Sequence, residues 1–577
     1  MQNILWLKRI SFLLLACCVI ATCTYLIIQH SNVAGRLALT PNKSTAIKST
    51  AIAESGHWDN PAIKKVPCAS TVEKDFSLDC GVLTTDISRG QFELGFAVLK
   101  IKAPISRKRD VGAGSAQKAP VIYLEGGPGV GGATEQANMD FWQVFLKDAA
   151  LPREIVLINT RGTKGALPYF ECDELATEQL RLLATGTSIS DEIALMASLQ
   201  KKCVAQYHAF LQAQVPFTKN EQHPGIGLLS SHYSKGDVTE LMRALGYDKW
   251  HLWGGSYGGR LALLAGQSKE VVSIVLDSPY LFQSGNLLSF PQLELKARKH
   301  HMQLYEEFLV ALEPKDAEVF PASYQQLVKA VLNKLESSAQ PIEITLFEQP
   351  IKKLVFTEMD LISIEFTVLY DSALWPSYYW FLLSFIGEPT PFNEQFATQF
   401  DTKLVLDAYL FNFDTEFFNL ATYTAVECLD NDLPDSSLFK KEVDLVAEEY
   451  FPMSTYSSNK ARNADITNWK QYWLEYEDSY VCSDGIFNAR SSVHTAAYPN
   501  VPLLVLAGDK DPVTPAATLR ELPKRDNVFT KVLRNWGHGV LLSYGCEPTL
   551  LTKTLEAFEA GEPIAPEAMC ELDYFEG

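Results

Sequence analysis

The sequence lacks the motifs of several common protein classes. It has no H-E-x-x-H zinc motif, no G-x-x-x-x-G-K-[ST] phosphate-binding loop and no C-x-x-C pair, and its 10 histidines are scattered along the chain. Positive charge is also scarce, since 50 Lys and Arg stand against 69 Asp and Glu and give a formal net charge of −19. A nucleic-acid partner requires a basic surface, so this balance argues against one. We therefore expect no metal, no other cofactor and no nucleic-acid partner.

One long run without charge lies near the N-terminus. Lys8 and Arg9 precede residues 10–28, which contain no charged side chain. This pattern predicts a targeting segment over 1–30: a cleaved signal peptide, a lipoprotein signal at Cys17, or an uncleaved anchor of about 20 residues. Each alternative exports the remaining chain, which would be periplasmic, secreted or attached to a membrane. Residues 31–60 are rich in small polar side chains, and we predict a flexible linker there.

The cysteine count agrees with export. Three of the 11 cysteines lie in the targeting segment, which leaves an even set of eight. An even set without C-x-x-C spacing is typical of disulfides in an exported protein. We predict pairing between sequence neighbours, because each bridge would then close a loop within one subregion. The predicted bridges are Cys68–Cys80, Cys172–Cys203, Cys428–Cys482 and Cys546–Cys570.

The most informative motif is Gly-Gly-Ser-Tyr-Gly-Gly at 254–259. Residues 250–253 are short and apolar enough for a buried strand, and residues 260–265 favour a helix. A strand, a G-x-S-x-G turn and a helix together predict a nucleophile elbow, which needs small residues because its turn is sharp. The hydroxyl of Ser256 would then stand at the top of a sheet, and the amide of Tyr257 would point into the same space.

An acid and a histidine follow the serine in the order that this elbow requires. The apolar run 501–507 enters Gly-Asp-Lys-Asp-Pro at 508–512, and residues 532–539 lead a second strand into Gly-His-Gly. Ligands bind at the carboxyl edge of open α/β sheets, where both segments would end. Asp511 could then orient His538 as the base for Ser256. Alternatively, Asp509 or Asp511 caps a turn and His538 is a solvated loop residue.

A glycine-rich loop upstream supplies the remaining catalytic element. The apolar run 120–124 ends in Glu-Gly-Gly-Pro-Gly at 125–129. The backbone amide of Gly127, with that of Tyr257, would form an oxyanion hole, whose single donors can be worth roughly 10²–10³ in rate. A phosphate-binding loop is the alternative, and the missing lysine argues against it.

These motifs resemble one family. The glycine-rich loop, Asn-Thr-Arg-Gly-Thr-Lys-Gly at 159–165, the segment 245–250 leading into the elbow, and the C-terminal Asp and His segments are similar to the proline iminopeptidase and tripeptidyl aminopeptidase branch of the α/β-hydrolases. The resemblance implies a mostly parallel sheet flanked by helices, a helical cap, and a serine exopeptidase that acts on peptide N-termini. It also places the acid just before Pro-Val-Thr-Pro, which selects Asp511 over Asp509.

The sequence departs from this family at two positions. Glu125 stands where the family has His or Asn, and Asn159 stands where it has Asp. Glu125 could bind the amine of a peptide substrate, but we favour a bracing role for it against Arg161, which we expect to form a structural ion pair. Glu427, beside Cys428, is a second candidate for the substrate amine, although a solvated glutamate is an equal alternative.

The chain divides into a core and an insertion. The predicted core covers 61–281 and 499–577, opening with an edge strand at 92–101 and continuing with strands at 155–158 and 272–277 around the elbow. The strand pattern disappears between 282 and 498, where we predict the helical cap, with helices from 293 and from 322. The aromatic run 375–382 is predicted to be helix core rather than a substrate pocket.

The sequence therefore predicts an exported serine aminopeptidase that acts on peptide substrates through Ser256, His538 and Asp511. An esterase or lipase-like hydrolase with the same triad is the nearest alternative. A non-catalytic binding protein with this fold is a third, and the intact set of three residues argues against it.

Overall fold

The computed structural model describes residues 58, 60–102, 118–218, 224–283, 290–338, 341–346, 351–386, 401–413, 417–432, 436–451, 466–467, 469–471, 473, 482, 485–487, 496–564 and 570. The predicted targeting segment (1–30) lies outside these residues, as does the predicted linker (31–60) apart from Trp58 and Asn60. None of the helices within the described ranges combines the length and the hydropathy needed to cross a membrane.

Within the described ranges, ten strands form one mixed sheet and two form a separate hairpin. The strands are β1 (Ile63–Val66), β2 (Phe76–Thr84), β3 (Glu93–Ile101), β4 (Val121–Leu124), β5 (Ile155–Ile158), β6 (Ala166–Leu167), β7 (Trp250–Gly255), β8 (Val271–Asp277), β9 (Ile342–Thr345), β10 (Lys353–Phe356), β11 (Leu503–Gly508) and β12 (Val528–Leu533).

The main sheet has the order β1-β2-β3-β5-β4-β7-β8-β11-β12, and β6 pairs with one end of β3. In the run β5-β4-β7-β8-β11-β12 each strand is parallel to its neighbours. In the run β1-β2-β3-β5 each strand is antiparallel to its neighbours. Strands β4, β5, β7 and β11 are buried along their whole length, as parallel strands are when helices cover both faces. Because these six strands (β4, β5, β7, β8, β11 and β12) are parallel, their C-terminal ends share one edge of the sheet.

The predicted edge strand at 92–101 is an interior strand. Strand β3 lies between β2 and β5, and two strands precede it in the chain. Its alternate residues enter different core clusters: Leu94 and Phe96 pack on one face of the sheet, while Ala97 and Leu99 pack on the other. Both faces of β3 are therefore buried. The edge-strand prediction was wrong because large and small side chains alternate in this strand, which imitates the alternation of a half-exposed strand.

Helices cover both faces of the sheet, and several lie in the segment between β8 and β11. They are α1 (Gln136–Asp148), α2 (Asp173–Leu183), α3 (Ile189–Gln214), α4 (Ser231–Ala244), α5 (Tyr257–Ala265), α6 (Phe290–Ala311), α7 (Pro314–Ala317), α8 (Tyr324–Ser337), α9 (Glu358–Thr367), α10 (Leu374–Ile386), α11 (Thr402–Phe411), α12 (Leu420–Asp430), α13 (Ser436–Tyr450) and α14 (Thr549–Ala560). Helices α1 and α14 pack on one face, and α4 and α5 pack on the other. This arrangement confirms the predicted fold class.

The segment between β8 and β11 builds a second apolar core, to which Leu183 of α2 also contributes. Helices α6, α8, α9, α10 and α11 share one apolar cluster. The aromatic run 375–382 lies in that cluster as predicted, with Tyr378 and Phe381 fully buried. The expectation that strands are absent here is wrong, since β9 and β10 form an antiparallel hairpin. Each of its strands has only four residues, too few for a clear alternating pattern.

Helix α12 connects this segment to the sheet domain. Its buried residues Ala425 and Leu429 belong to the same cluster as Tyr207 of α3 and Leu261 of α5. Cys428 of α12 is bonded to Cys482, which lies in the same cluster. One face of the inserted helix is therefore part of the main core, so its position relative to the elbow is fixed by packing.

The eight cysteines outside the targeting segment form the four predicted pairs, Cys68–Cys80, Cys172–Cys203, Cys428–Cys482 and Cys546–Cys570. The bridges close loops of 12, 31, 54 and 24 residues. Four such pairs in one chain are typical of an extracellular or periplasmic protein.

Candidate active site

Ser256 occupies a sharp turn between β7 and α5. Its φ is +50°, a conformation that is costly for a residue other than glycine. The flanking glycines permit this turn, because a Cβ on Gly254 would collide with the Gly258 carbonyl, and one on Gly258 would collide with the Leu124 carbonyl. The side chain of Ser256 is therefore held at the carboxyl edge of the sheet, partly exposed.

His538 and Asp511 meet at the same edge. The Nδ1 atom of His538 lies 2.8 Å from Oδ2 of Asp511. Asp511 is fully buried and accepts further hydrogen bonds from the amides of Val513 and Thr514 and from the Thr514 hydroxyl, at 2.8–2.9 Å. Asp509 instead pairs with Lys510 at 2.8 Å. Of the two aspartates, Asp511 is thus the one that contacts the imidazole.

The charges of this pair favour the proton on histidine. Burial alone would lower the pKa of His538, but the charge and hydrogen bond of Asp511 outweigh burial and raise that pKa. Burial would likewise raise the pKa of Asp511, but His538 and the hydrogen bonds from Thr514 hold it below its usual value. The pair is arranged to stabilise an imidazolium opposite a carboxylate.

The glycine-rich loop lies against the serine. A Cβ placed on Gly126 would stand 3.1 Å from the Cβ of Ser256. Gly127, the next residue, has a φ of +98°, which lets its backbone turn at this point without a side chain in the way. Tyr257 is the first residue of α5, where an N–H group has no acceptor within the helix. The two predicted oxyanion donors therefore belong to segments that both adjoin the serine.

Glu125 braces the loop, but not against Arg161 as predicted. Its carboxylate accepts hydrogen bonds from the Tyr123 hydroxyl at 3.1 Å and from the Gly126 amide at 3.2 Å. Burial raises the pKa of Glu125, while these two bonds oppose the rise. Arg161 is fully buried and forms a two-point ion pair with Asp237, at 2.5 and 2.8 Å. The arginine is therefore a scaffold residue, as expected, with a different partner.

Glu427 lies on α12 and faces the region of the elbow. It accepts hydrogen bonds from the Tyr280 hydroxyl at 3.2 Å and from Asn431 at 2.8 Å. The backbone amide of Tyr280 in turn donates to the carbonyl of Ser256 at 2.9 Å, so one tyrosine spans from the nucleophile to this carboxylate. Burial raises the pKa of Glu427 to about 7, although the charge of Arg260 opposes the rise. Glu427 is half-buried and hydrogen-bonded, which argues against a fully solvated glutamate.

Several residues around Glu427 have no signal in the sequence. Arg260 is fully buried, and its guanidinium lies 3.7 Å from the centre of the Tyr280 ring. Asp430, also buried, holds Ser231, whose hydroxyl lies 2.6 Å from the hydroxyl of Tyr257. The inserted helix thereby positions Tyr257 through its side chain. Only the spacing of Glu427 and Asp430 on one helix could have suggested this group.

The inserted segment also contacts the histidine loop. The carbonyl of Tyr370 accepts a hydrogen bond from the amide of His538 at 2.9 Å, and the two rings meet edge to face at 5.3 Å. Gly537 is required at this contact, because a Cβ there would collide with the carbonyls of Leu369 and Tyr370. The sequence indicated no role for Tyr370, because its contact with His538 spans 168 residues of chain.

Comparison with known proteins gives the following matches. A family model described as the alpha/beta hydrolase fold matches residues 119–390. The structure is similar to proline iminopeptidase from Mycobacterium smegmatis (12% identity, TM-score 0.34, covering 83% of this chain and 99% of that chain). It is also similar to a bacterial membrane phospholipase A (13%, 0.30, 97% and 99%) and to juvenile hormone epoxide hydrolase from the silkworm Bombyx mori (10%, 0.30, 84% and 77%). A search of curated proteins finds no match. These similarities assign no function.

Proposed function

We propose that this chain, which has the α/β-hydrolase fold, is an exported serine aminopeptidase that cleaves peptide bonds near a free N-terminus. The observation that carries the proposal is the hydrogen bond of His538 to the buried carboxylate of Asp511, at the sheet edge where Ser256 stands on its elbow. Serine hydrolysis needs these three groups in these roles. The four cysteine pairs support the exported location.

The reaction follows from the roles of these groups. His538 takes the proton of the Ser256 hydroxyl as the oxygen attacks the peptide carbonyl, and Asp511 stabilises the imidazolium that forms. The amides of Gly127 and Tyr257 donate hydrogen bonds to the oxyanion. His538 then gives its proton to the leaving amine, which leaves an acyl-enzyme on Ser256. Water, activated by His538, hydrolyses that ester and restores the serine.

Recognition of a free amine is assigned to Glu427. Its carboxylate is half-buried, lies on the inserted helix α12, and is connected to the nucleophile through Tyr280. A hydrogen bond between a carboxylate and an ammonium is charge-assisted and is about twice as strong as a neutral one. The insertion over 282–498 would act as the cap that closes one end of the cleft. Glu125 is the second candidate. It accepts two hydrogen bonds, as Glu427 does, but it lies in the glycine-rich loop and not on the inserted helix.

The test compares a peptidyl anilide that has a free amine with its N-acetylated twin and with a simple ester. We expect kcat/KM to favour the free amine by at least tenfold, and Ser256→Ala to lower kcat roughly 10⁴-fold or more while the fold is kept. Glu427→Gln should remove the preference for the free amine. Glu240→Gln, which changes a half-buried glutamate paired with Arg89, is the matched control and should keep it.

The same assay decides between the two enzyme classes. Equal kcat/KM for the free and acetylated anilides, with faster cleavage of the ester, would replace the aminopeptidase by an esterase with the same triad. Turnover that survives Ser256→Ala in a purified protein would refute both, and a correctly folded protein without turnover on any of the substrates would favour a binding role.

A further inference from the structure

A pair of residues outside the triad contacts the elements that carry all three of its members. Asp277 ends β8, between the strands β7 and β11 that lead to Ser256 and Asp511, and Ser278 follows it. Both residues are fully buried. We refer to Asp277 and Ser278 as the 277–278 junction.

The junction holds the segment that follows the catalytic histidine. The carboxylate of Asp277 accepts three consecutive backbone N–H groups, from Val540 at 2.6 Å, Leu541 at 2.8 Å and Leu542 at 3.2 Å. The hydroxyl of Ser278 accepts the preceding one, from Gly539 at 3.0 Å. Four successive amides directly after His538 are therefore fixed by two adjacent residues of one strand end.

The same two residues contact the nucleophile and the acid loop through their backbone. The carbonyl of Asp277 accepts a hydrogen bond from the amide of Ser256 at 2.9 Å. The carbonyl of Ser278 lies 2.9 Å from the hydroxyl of Thr514, which is also 2.8 Å from Oδ2 of Asp511. That hydroxyl has a single proton to donate, so it can serve either acceptor. The junction thus contacts the elbow, the acid loop and the histidine loop.

We propose that Asp277 is a positioning residue for the triad, which fixes the His538 loop through its carboxylate and stabilises the imidazolium formed during the reaction, with Ser278 completing the hold. This inference rests on the proposed serine-hydrolase chemistry. Asp277 is not the triad acid, because Nδ1 of His538 is bonded to Asp511 and both oxygens of Asp277 are occupied by backbone amides.

The electrostatics agree with this role. Burial raises the pKa of Asp277 to about 6, while the three amides and the charge of His538 oppose the rise, so the group is ionised at neutral pH. Asp277 in turn contributes to the raised pKa of His538, after Asp511. A carboxylate that bears on the imidazole favours the charged ring, which exists after Ser256 has lost its proton and not before. Its stabilisation therefore lowers the barrier rather than merely tightening substrate binding.

Other titratable groups interact with Asp277 or with the acid loop beside it. Tyr123 on β4 faces Asp277, and Tyr370 of the inserted segment faces Asp511. Lys296 of α6 interacts electrostatically with Asp509, Lys510 and Asp511. Loss of the Asp277 charge would lower the pKa of Tyr123, but burial raises that pKa well above 10, so Tyr123 stays protonated across the acidic limb. A shift of that limb therefore reports the effect of the Asp277 charge on His538.

Asp277→Asn keeps the shape of the side chain and removes its charge. We expect kcat to fall roughly 10–100-fold, because the amide group cannot accept all three N–H bonds and the imidazole is displaced. KM should stay within about twofold, and the acidic limb of the kcat/KM profile should move down by roughly half to one pH unit, because His538 loses one of its two carboxylates. Asp360→Asn, which alters a buried carboxylate in the capping box of α9, is the control and should change neither quantity.

Ser278→Ala keeps the proposal testable if Asp277→Asn does not fold. It removes one acceptor and no charge, so kcat should fall roughly 3–10-fold with KM and the acidic limb unchanged. Suppose that the wild type is active and that Asp277→Asn folds but has the same kcat and the same acidic limb. This result would overturn the inference about Asp277 and leave the proposed function intact. Should Asp277→Asn not fold, unchanged kcat in Ser278→Ala would overturn it. If Ser256→Ala leaves turnover intact in the wild-type background, the proposed function fails instead.

Discussion

Asp509 and Asp511 lie two residues apart on one turn and occupy different environments. Asp511 is fully buried against His538, whereas Asp509 is partly exposed and paired with Lys510. A carboxylate that stabilises an imidazolium in a buried site contributes several kcal/mol to the transition state. The ion pair of Asp509 with Lys510 makes no contact with the imidazole. The two aspartates should therefore respond very differently to the same substitution.

Asp511→Asn is expected to lower kcat roughly 10³–10⁴-fold, because the amide cannot stabilise the imidazolium and favours the wrong tautomer of His538. Asp509→Asn should change kcat less than about threefold. Steady-state kinetics of both variants on one chromogenic substrate, with circular dichroism as a folding check, would measure the ranking. The reverse ranking would reassign the triad acid.

The proposed amine site at Glu427 predicts that substrate binding has its own pH dependence. Its pKa of about 7 means that the carboxyl is increasingly protonated below neutrality, and a protonated carboxyl recognises an ammonium poorly. KM for a free-amine substrate should therefore rise as pH falls through 7, approaching tenfold per unit in the acid range. The profile is measured between pH 5.5 and about 7.5, below the usual pKa of an α-amino group.

Two comparisons isolate this effect. In Glu427→Gln, and for the N-acetylated substrate on the wild type, KM should be nearly independent of pH over the same range. A flat KM profile for the free-amine substrate on the wild type would remove Glu427 as the amine site and leave Glu125 as the remaining candidate.

At the scale of elements, the sequence predicted the features that depend on a short stretch of chain and missed those that depend on contacts between distant segments. The elbow at 254–259 and the strands before Asp511 and His538 were predictable, because each needs only a short apolar run and a turn residue. The edge-strand prediction for β3 failed because burial of its second face depends on strands β1 and β2, which the local pattern does not contain. Tyr370 and Asp277 were missed for the same reason, since their contacts with the His538 loop exist only in the folded chain.

A buried histidine ties the C-terminal helix to the strand that carries the elbow. His251 on β7 is fully buried and lies 2.8 Å from the Ser273 hydroxyl and 3.0 Å from Glu559 on α14. Arg153 completes the group through a two-point ion pair with Glu559, at 2.8 and 3.2 Å. Burial lowers the pKa of His251 to about 4, although the hydrogen bond to Glu559 opposes the fall.

This depressed pKa makes the contact sensitive to acid. The unfolded chain binds a proton at His251 near pH 6.5, while the folded chain does so only near 4, so stability that is complete above 6.5 is lost as pH falls towards 4. His251→Gln should melt below the wild type at pH 7.5, because buried hydrogen bonds worth about 1–3 kcal/mol are disturbed. The gap between the two melting temperatures should then narrow as pH falls from 6.5 to 4.

The difference between the two melting temperatures at each pH cancels the contributions of the other titrating groups, because both proteins contain them. His301 and His300 also have lowered pKa values, of about 4 and 3, and contribute equally to each curve. His232→Gln, at an exposed histidine on α4, serves as the control for the substitution itself and should melt close to the wild type at pH 7.5. A gap between wild type and His251→Gln that is constant from pH 7.5 to 4 would contradict the assignment.

At the scale of the whole molecule, the four bridges lie in separate parts of the fold. Cys68–Cys80 joins β2 to the segment before it, Cys172–Cys203 joins the start of α2 to α3, and Cys546–Cys570 lies near the C-terminal helix. The fourth, Cys428–Cys482, closes the longest loop and anchors α12, the helix that carries Glu427. Neighbour pairing was predictable because each pair stays within one subregion, but the role of α12 required the structure.

All eight of these cysteines should be oxidised in the native protein, and the bridge at α12 should matter most for substrate selection. In the chain-entropy model, a loop of this length contributes about 4 kcal/mol, more than the shorter loops contribute. Non-reducing peptide mapping should recover the four pairs.

Cys428→Ser with Cys482→Ser should lower the melting temperature. It should also raise KM for free-amine substrates more than KM for their acetylated twins, because Glu427 lies one residue from the lost bridge. The matched control removes Cys68 and Cys80, which should lower stability and leave the preference for the free amine intact. Equal effects of both double variants on that preference, or free thiols at these positions, would contradict the placement of the amine site on a disulfide-anchored helix.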